Sequence, residues 1–380
     1  MRDRSSHLRF AGGFTRPTGD LGSQLCRRTD HVETWTPPYV CPATIAVADL
    51  PTPRARTRCM DRRQFLAAAA AAPFALSAAP ALARALGGTP IALVTADEES
   101  RLVAFDLAAG RVRGYVETLP GPKSIETVGN GTLALVAHTA IGAISLIDVT
   151  SLRVSAVLHG FVEPRYAAAG PDGTVAYVTD AGAGELVTVD LARARVVHRL
   201  AVGARARHVS LDPASLTLWT ALGFNAREIS VVDVSERRKP RLTSRMRPSF
   251  HAHDVVFSPD GKRVWVSSGD EQRVTIYDVS TRRPIRTLVA GPPPQHIAVT
   301  SAAAYVTSDD AVRIHRISDG RVLRTLAVPP GSYNVSQGWN RVFTPSLERG
   351  TLAVIDGQGA RIRAEKVATA AHDACFVVGS

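Results

Sequence analysis

An all-β fold built from seven similar units is predicted by three observations on this 380-residue chain. Short apolar runs that end in Asp, or once in Ser, recur at intervals of 38 to 45 residues. Strand-like runs and turns surround each of them, so that every unit contains four short strands and no helical period follows residue 90. The last residues supply a strand that the first unit lacks. Four-stranded antiparallel blades closed around an axis form a seven-bladed β-propeller.

The residues that end the apolar runs have a structural interpretation. An Asp carboxylate at this point can accept backbone N–H groups two residues further on and so close the turn between two strands. We therefore interpret these residues as structural residues that close a turn in every repeat, and not as catalytic residues. They are Asp106, Asp148, Asp190, Asp233, Asp278, Ser318 and Asp356.

The strand before each of these runs alternates β-forming residues, as in "AYVTD" at 176–180, "VWVSS" at 264–268 and "AYVTS" at 304–308. The turn signal "PDG" precedes the first two. Together with "HDVVFSPDG", these runs resemble the YVTN-type repeats of bacterial β-propellers. The resemblance covers roughly residues 89–380 and implies a seven-bladed, usually extracytoplasmic propeller of a family whose members serve mostly as binding or surface proteins. The chain lacks the Gly-His and Trp-Asp pairs of WD40 repeats.

The two ends of the repeat region complement each other. The first unit starts at about Thr89 with its second strand, "IALVTAD", and the chain ends in an unpaired first strand, "AHDACFVVGS". We expect the C-terminal strand to join the N-terminal blade, because radial closure removes the exposed sheet edges.

An export signal is predicted at residues 60–83. Arg62 and Arg63 precede an alanine-rich apolar run that ends in a small-residue cleavage pattern, "ALA" at 81–83. The paired arginines followed by x-Phe-Leu resemble a twin-arginine signal, which exports folded cargo, although Asp61 replaces the usual Ser or Thr. The alternative is an uncleaved membrane anchor, which would be the chain's one link to a membrane. We expect an extracytoplasmic location: periplasmic, cell-envelope or secreted.

The domain boundaries follow from this signal. We predict residues 1–59 to be an overextended start or a disordered leader, residues 60–83 the signal, and residues 84–380 the propeller, which we expect to be a monomer. Without residues 1–83 the chain keeps 34 Lys and Arg against 28 Asp and Glu, a net charge of +6. No block of five like charges is present, so no specific nucleic-acid binding is predicted. Cys375 alone remains of four cysteines, which excludes an internal disulfide and favours a buried small hydrophobe.

A polar ring is predicted at one mouth of the central channel. The first strand of each blade lines the axis, so its two leading residues lie at this mouth. Four of the nine histidines after residue 83 fall in these positions, and His251 lies just outside them. The ligand-binding candidates are Lys123, Arg165, Tyr166, Arg207, His208, His251, His253, Asp254, His296, Tyr333, Asn334, His372 and Asp373.

Imidazoles from adjacent blades could hold a transition metal, with His208, His253 and His296 as ligands and Asp254 beside them. The difficulty is whether these three imidazoles can reach the same metal ion. His208 and His296 share one strand phase and His253 the other, and alternate residues should lean toward opposite neighbouring blades. Two other interpretations stay open. The ring is a mouth for a small anionic or polar ligand, or it is mainly structural, with His-Asp pairs that bind the neighbouring blade.

The function that these patterns favour is an exported propeller that binds a protein or a small polar ligand on the face carrying the ring. No G-x-S-x-G, H-E-x-x-H or phosphate-cradling loop appears, so no catalytic residues are predicted. The alternative is a metal-dependent or lactonase-like enzyme that acts at the histidine-rich ring. No cofactor is predicted other than a possible transition metal.

Overall fold

Seven four-stranded antiparallel sheets form from the residues that the structure describes, so the all-β propeller prediction is confirmed. The structure is a computed structural model, and it describes residues 88–379 except 215, 224–226, 293–294, 358 and 360–361. The predictions for residues 1–59 and 60–83 lie outside the described residues. No helix in the described part of the chain is long and apolar enough to cross a membrane.

The strands follow one another in blade order. Blade 1 contains β28 (Ala371–Gly379), β1 (Thr89–Ala96), β2 (Arg101–Asp106) and β3 (Arg111–Glu117). Blades 2 and 3 contain β4 (Ser124–Val128), β5 (Leu133–His138), β6 (Ala143–Asp148), β7 (Arg153–His159), β8 (Pro164–Ala169), β9 (Val175–Asp180), β10 (Glu185–Asp190) and β11 (Arg195–Ala201). Blades 4 and 5 contain β12 (Ala206–Leu211), β13 (Thr217–Leu222), β14 (Glu228–Asp233), β15 (Arg241–Met246), β16 (Ala252–Phe257), β17 (Arg263–Ser268), β18 (Arg273–Asp278) and β19 (Pro284–Val289). Blades 6 and 7 contain β20 (Ile297–Val299), β21 (Ala303–Thr307), β22 (Ala311–Arg316), β23 (Val322–Ala327), β24 (Ser336–Gly338), β25 (Arg341–Pro345), β26 (Thr351–Asp356) and β27 (Ile362–Lys366).

The ring closes through the composite blade predicted from the sequence. Strand β28 pairs antiparallel with β1, from Thr89 opposite Gly379 to Ala96 opposite Ala371. The inner strands contact one another in the order β28, β4, β8, β12, β16, β20, β24 and back to β28. Every blade therefore has a neighbour on both faces, and the inner strands surround one central channel.

The core consists of apolar layers between successive blades. Leu93 and Leu102 of blade 1 pack with Val136 of blade 2, for example. Between blades 4 and 5, the Trp219 ring meets Phe257 edge to face, with ring centroids 5.7 Å apart. Since a blade buries both faces, its central strands are buried along most of their length: β9 is buried throughout, and β17 is buried after Arg263.

The Asp residues at the ends of the third strands close turns, as predicted. Asp106 accepts the N–H groups of Ala108 and Ala109 at 2.9 and 2.8 Å. Asp148 and Asp278 accept the N–H groups of Ser151 and Thr281, each at 2.7 Å. These carboxylates lie on the outer side of the blades, and their role is structural.

Hydroxyl groups on the second strands join neighbouring blades. Thr179 donates to the carbonyl oxygen of Arg207 in the next blade at 2.5 Å and accepts the N–H of Tyr166 in its own blade at 3.1 Å. Thr95, Ser267 and Thr307 make the equivalent pair of bonds in their blades. We call Thr95, Thr179, Ser267 and Thr307 the hydroxyl staples. They fix the backbone of the ring residues at the channel mouth.

Candidate metal and ligand site at the channel mouth

β-Bulges place the ring residues. In β12 the pairing skips from Ala206 to Val209, and in β16 it skips from Ala252 to Val255, so that two ring residues face one residue of the second strand. The same shift occurs in β8 and β28. A bulge interrupts the regular alternation of side chains and re-aims them. The expectation that residues of opposite phase lean toward opposite blades is therefore wrong for His208 and His253.

Three histidines from three successive blades meet in the structure. The ring centroids of His208 and His253 are 4.5 Å apart, those of His208 and His296 are 4.5 Å apart, and those of His253 and His296 are 5.2 Å apart. One nitrogen of each imidazole lies within 4.8 Å of the other two. We call these residues the three-histidine cluster. It is the only group of three or more His, Cys, Asp or Glu with such geometry in the described part of the chain.

The hydrogen bond of His208 fixes which of its nitrogens has a lone pair. His208 Nδ1 contacts the carbonyl oxygen of His253, and because a carbonyl only accepts, Nδ1 carries the proton. Nε2 of the neutral ring is then unprotonated. It is buried and makes no hydrogen bond within the described residues. A backbone carbonyl that orients one ring nitrogen and leaves the other as a donor is the usual support of a metal-binding histidine.

Burial keeps the cluster uncharged. Desolvation lowers the pKa of His253 to about 3 and the pKa values of His208 and His296 well below the usual value for histidine. Proximity of the three rings to one another and to Arg207 lowers the pKa of His208 further. The imidazoles are thus neutral at physiological pH, which is the form that binds a metal ion.

The buried carboxyl groups of the ring accept hydrogen bonds from backbone N–H groups. Asp254 accepts the N–H of Val255 and, across the blade boundary, the N–H of Ile297, each at 2.8 Å. Asp373 accepts the N–H of Ala374 at 2.8 Å and that of Ile125 in blade 2 at 3.2 Å. Burial raises the pKa of both to about 7. Asp254 lies 3.8 Å from Nδ1 of His296, so it borders the cluster, but its two oxygens serve the interface between blades 5 and 6.

Other predicted ring residues also bind neighbouring blades. Asn334 Nδ2 donates to the carbonyl oxygen of His372 at 2.6 Å, and His372 Nδ1 lies 2.8 Å from that of Lys123. Burial, and a hydrogen bond with Asp309, raise the pKa of Tyr333. These residues lie on the arc of the ring away from the three-histidine cluster. The structural interpretation of the ring thus describes this arc well.

His251 lies outside the cluster. Its Nδ1 is 2.5 Å from Oδ2 of Asp270, and both side chains are partly exposed. His251 lines a narrow crevice together with His253 and Gly269, but its imidazole is not part of the three-histidine cluster. The lack of a counterpart to His251 in the repeat reflects this separate surface pair.

Tyr166 and the basic ring residues occupy the remaining arc. The Tyr166 ring packs on His208 and His296, at centroid distances of 4.1 and 5.7 Å, and its hydroxyl is hydrogen-bonded to Arg207. Lys123 and Arg165 form ion pairs with Asp97 and Glu163, at 2.5 and 3.3 Å. Tyr166 is therefore the side chain that connects the histidines with the cationic part of the ring.

A cavity of about 120 Å³ lies in the channel directly below this mouth. His208, His296, Asp254 and Asn334 contribute to its wall, together with Glu126 from the middle of β4. Sequence analysis missed Glu126, although a carboxylate within an inner strand is a detectable signal. Glu126 is exposed to the channel, where desolvation by the surrounding strands and the nearby Asp373 charge raise its pKa to about 8. The volume exceeds the ~10–15 Å³ that one water needs, so a small ligand fits.

The residues fit a transition-metal ion after a modest adjustment. A tetrahedral ion with Zn–N bonds of about 2.0–2.1 Å spaces its ligand atoms about 3.3 Å apart. The cluster nitrogens lie within 4.8 Å of one another, so rotations about the χ angles have to bring the rings closer together. Three neutral imidazoles then supply three ligands and leave a fourth position toward the cavity or the mouth.

Comparisons with known proteins establish the fold alone. No protein-family model matches the chain, and no curated protein sequence matches it, so the likeness to YVTN-type repeats stays a prediction. Among solved structures, the chain resembles a functionally unknown protein from Desulfotomaculum acetoxidans DSM 771, with a TM-score of 0.66, 12% identity, and coverage of 76% of this chain and 98% of that one. It also resembles Kuenenia stuttgartiensis hydrazine synthase, with a TM-score of 0.60, 17% identity, and coverage of 70% and 91%. A third likeness is to the dihydro-heme d1 dehydrogenase NirN in complex with DHE, with a TM-score of 0.56, 14% identity, and coverage of 75% and 74%. Since propellers of one architecture serve many activities, function has to be argued from the site.

Proposed function

We propose that this protein is an exported binding protein that holds a transition-metal ion on His208, His253 and His296 at the mouth of its channel. The observation that carries the proposal is the convergence of three buried, neutral imidazoles from three blades, with their nitrogens within 4.8 Å of one another. Histidines that served only the interfaces between blades would not need to face one another.

The donor set indicates the class of metal. Imidazole nitrogens suit Zn²⁺, Cu²⁺, Ni²⁺ and Fe²⁺, whereas Mg²⁺ and Ca²⁺ prefer oxygen ligands. The cluster has no thiolate, because the one cysteine among the described residues, Cys375, is buried in the interface between blades 1 and 2. We therefore expect Zn²⁺ or Cu²⁺ to bind most tightly.

The location and partners are part of the proposal. The signal-like residues 60–83 favour a folded cargo that is exported, and the mouth face presents the metal with one open position to a small ligand. A metal-dependent enzyme is the second candidate, because three histidines and a free position are also the arrangement in which a metal activates water. The cavity of about 120 Å³ beside the nitrogens is the observation that favours it.

Metal titration of the purified protein tests the proposal. The informative variant is His208→Asn, because Asn334 at the equivalent place in blade 7 already donates its amide to the next blade. Asn at 208 should keep the interblade hydrogen bond and remove one metal ligand. We expect the wild type to bind about one Zn²⁺ or Cu²⁺ per chain, and His208→Asn to bind it at least ~10-fold more weakly, with an unchanged melting temperature of the metal-free protein.

His159→Ala is the matched control. His159 ends the outer strand β7, is exposed and lies far from the channel mouth, so its loss should leave metal affinity unchanged. Binding that is equally strong in wild type and His208→Asn would show that the metal is held elsewhere. A wild type that binds no stoichiometric metal would end the proposal.

A further inference from the structure

We propose that the open position of the three-histidine site takes a small oxyanion, a carboxylate or a phosphate, that also contacts the guanidinium of Arg207. This inference rests on the proposed metal site and names the chemical class of its ligand. It follows from the position of cationic side chains next to the cluster.

A basic arc adjoins the histidines. The leading ring residues of blades 2, 3 and 4 are Lys123, Arg165 and Arg207, and those of the histidine arc follow directly in blades 4, 5 and 6. Arg207 belongs to both arcs, because it precedes His208 in the same bulge. A ligand on the cluster therefore lies at the boundary between nitrogen donors and positive charge.

Tyr166 sets the distance between the two arcs. Its ring packs on His208 with 4.1 Å between centroids, and its hydroxyl is hydrogen-bonded to Arg207. The guanidinium thus lies beside the tyrosine that packs on the cluster. The Arg207 side chain passes close to Gly223, where a side chain on residue 223 would meet its Cδ.

Cationic side chains outnumber the carboxylates of the basic arc. Asp97 pairs with Lys123, and Glu163 pairs with Arg165 and is also the carboxylate whose charge acts on Arg207. Three neutral histidines do not compensate the charge of a divalent ion, so a bound ion adds its two positive charges to those of the basic arc. An anion at the fourth position of the metal compensates part of the charge of the ion and of the basic arc. A guanidinium also offers a planar pair of donors that matches a carboxylate or phosphate.

Two of the three carboxyl groups that line the cavity are occupied by hydrogen bonds. Each oxygen of Asp254 and Asp373 accepts a backbone N–H, whereas Glu126 lies in the middle of β4, below the mouth at which Arg207 lies. Malonate and inorganic phosphate are suitable probes, one for each source of the oxyanion.

Cobalt(II) substitution gives a direct readout. The visible absorption of protein-bound Co²⁺ responds to a new ligand, so titration with malonate and, separately, with phosphate reports anion binding. We expect a saturable spectral change in the wild type with at least one of the two anions. Arg207→Gln should weaken that binding roughly tenfold or more, as expected for the loss of one charge-assisted hydrogen bond, while Co²⁺ affinity is retained.

Arg195→Gln is the control, since Arg195 is exposed at the start of the outer strand β11. It should bind the anion as the wild type does. If Arg207→Gln does not fold, Arg165→Gln removes the neighbouring charge and should also weaken anion binding. Equal anion affinity in the wild type and the arginine variants, or no spectral change with either anion, would overturn the inference.

Failure of the metal site gives a different result from failure of the anion site. If no Co²⁺ binds, the proposed function fails, and anion binding is read from the melting temperature of the metal-free protein. Malonate or phosphate should then still raise the melting temperature of the wild type more than that of Arg207→Gln. No such difference in the metal-free protein would reject the oxyanion site as well.

Discussion

Replacing Thr179 with Val tests the hydroxyl staples, and Thr220, one residue before the staple position of blade 4, supplies a control. Both residues lie on the second strand of a blade, and both are fully buried. Thr179 makes two backbone hydrogen bonds, to the Arg207 carbonyl and from the Tyr166 N–H. The Thr220 hydroxyl makes none within the described residues. The staple position of blade 4 is occupied by Ala221, which has no hydroxyl, and the imidazole of His208 donates to the His253 carbonyl instead.

The expected magnitude follows from the groups left without partners. Val has nearly the volume of Thr, so packing is preserved. Thr179→Val leaves a carbonyl and an N–H without this partner, at about 1–3 kcal/mol each, and we expect a loss of about 2–4 kcal/mol in the free energy of unfolding. At about 2 °C per kcal/mol for a domain of this size, the melting temperature should fall by about 4–8 °C. Thr220→Val removes a buried hydroxyl without a partner, so stability should change by less than about 0.5 kcal/mol or increase.

Thermal unfolding followed by circular dichroism, with calorimetry as a second probe, compares the two variants with the wild type. The result that would refute the reasoning is an equal loss in both variants, or a larger loss in Thr220→Val. Either result would mean that the Thr179 hydroxyl acts through packing and not through its hydrogen bonds.

Three further predictions concern other parts of the propeller. Deletion of residues 371–380 should abolish cooperative unfolding at the wild-type temperature, because β1 loses its partner strand; an unchanged melting curve would exclude this pairing as the closure. In metal-free protein the low pKa of His253, about 3, contributes stability that is complete above pH 6.5 and is lost as the pH falls below it. His253→Gln should therefore lose about 2 kcal/mol less free energy of unfolding than wild type between pH 7.5 and pH 5, as measured by urea denaturation. Cys375, whose thiol pKa burial raises, should react with a thiol reagent at pH 8 only after unfolding, and rapid labelling of the native protein would contradict the blade 1 packing.

Much of the fold could be predicted from sequence because each repeat is stabilised by interactions between residues that are close in sequence. An Asp at the end of a third strand closes its turn through nearby N–H groups, so Asp106 and Asp278 could be interpreted without knowledge of the rest of the chain. The composite blade followed from the same regularity, since one strand was missing at one end and one was left over at the other. Both features depend on neighbours in sequence or on counting.

The candidate site could be predicted only in part. Its residues were found because they share a repeat position, but the alternation argument gave the wrong direction for His208 and His253. A bulge adds one residue between two paired positions, and nothing in the letters "ARHV" or "AHDV" marks it. Glu126 was overlooked for a related reason: its importance comes from the channel that seven strands surround together, and not from its own strand.

The composite blade also constrains the order in which the protein can be made. Strand β1 leaves the ribosome early, but its inner edge gains a partner only after the chain has grown by nearly the whole length of the propeller, since Thr95 and Asp373, which are hydrogen-bonded, are 278 residues apart. Until then an unpaired edge is open to contact with other chains, and closure has to wait for a contact of very long range. The finished ring is thus a product of the complete polypeptide and not of stepwise growth. If the chain is exported as proposed, a route that accepts folded cargo would let closure be completed before the protein leaves the cytoplasm.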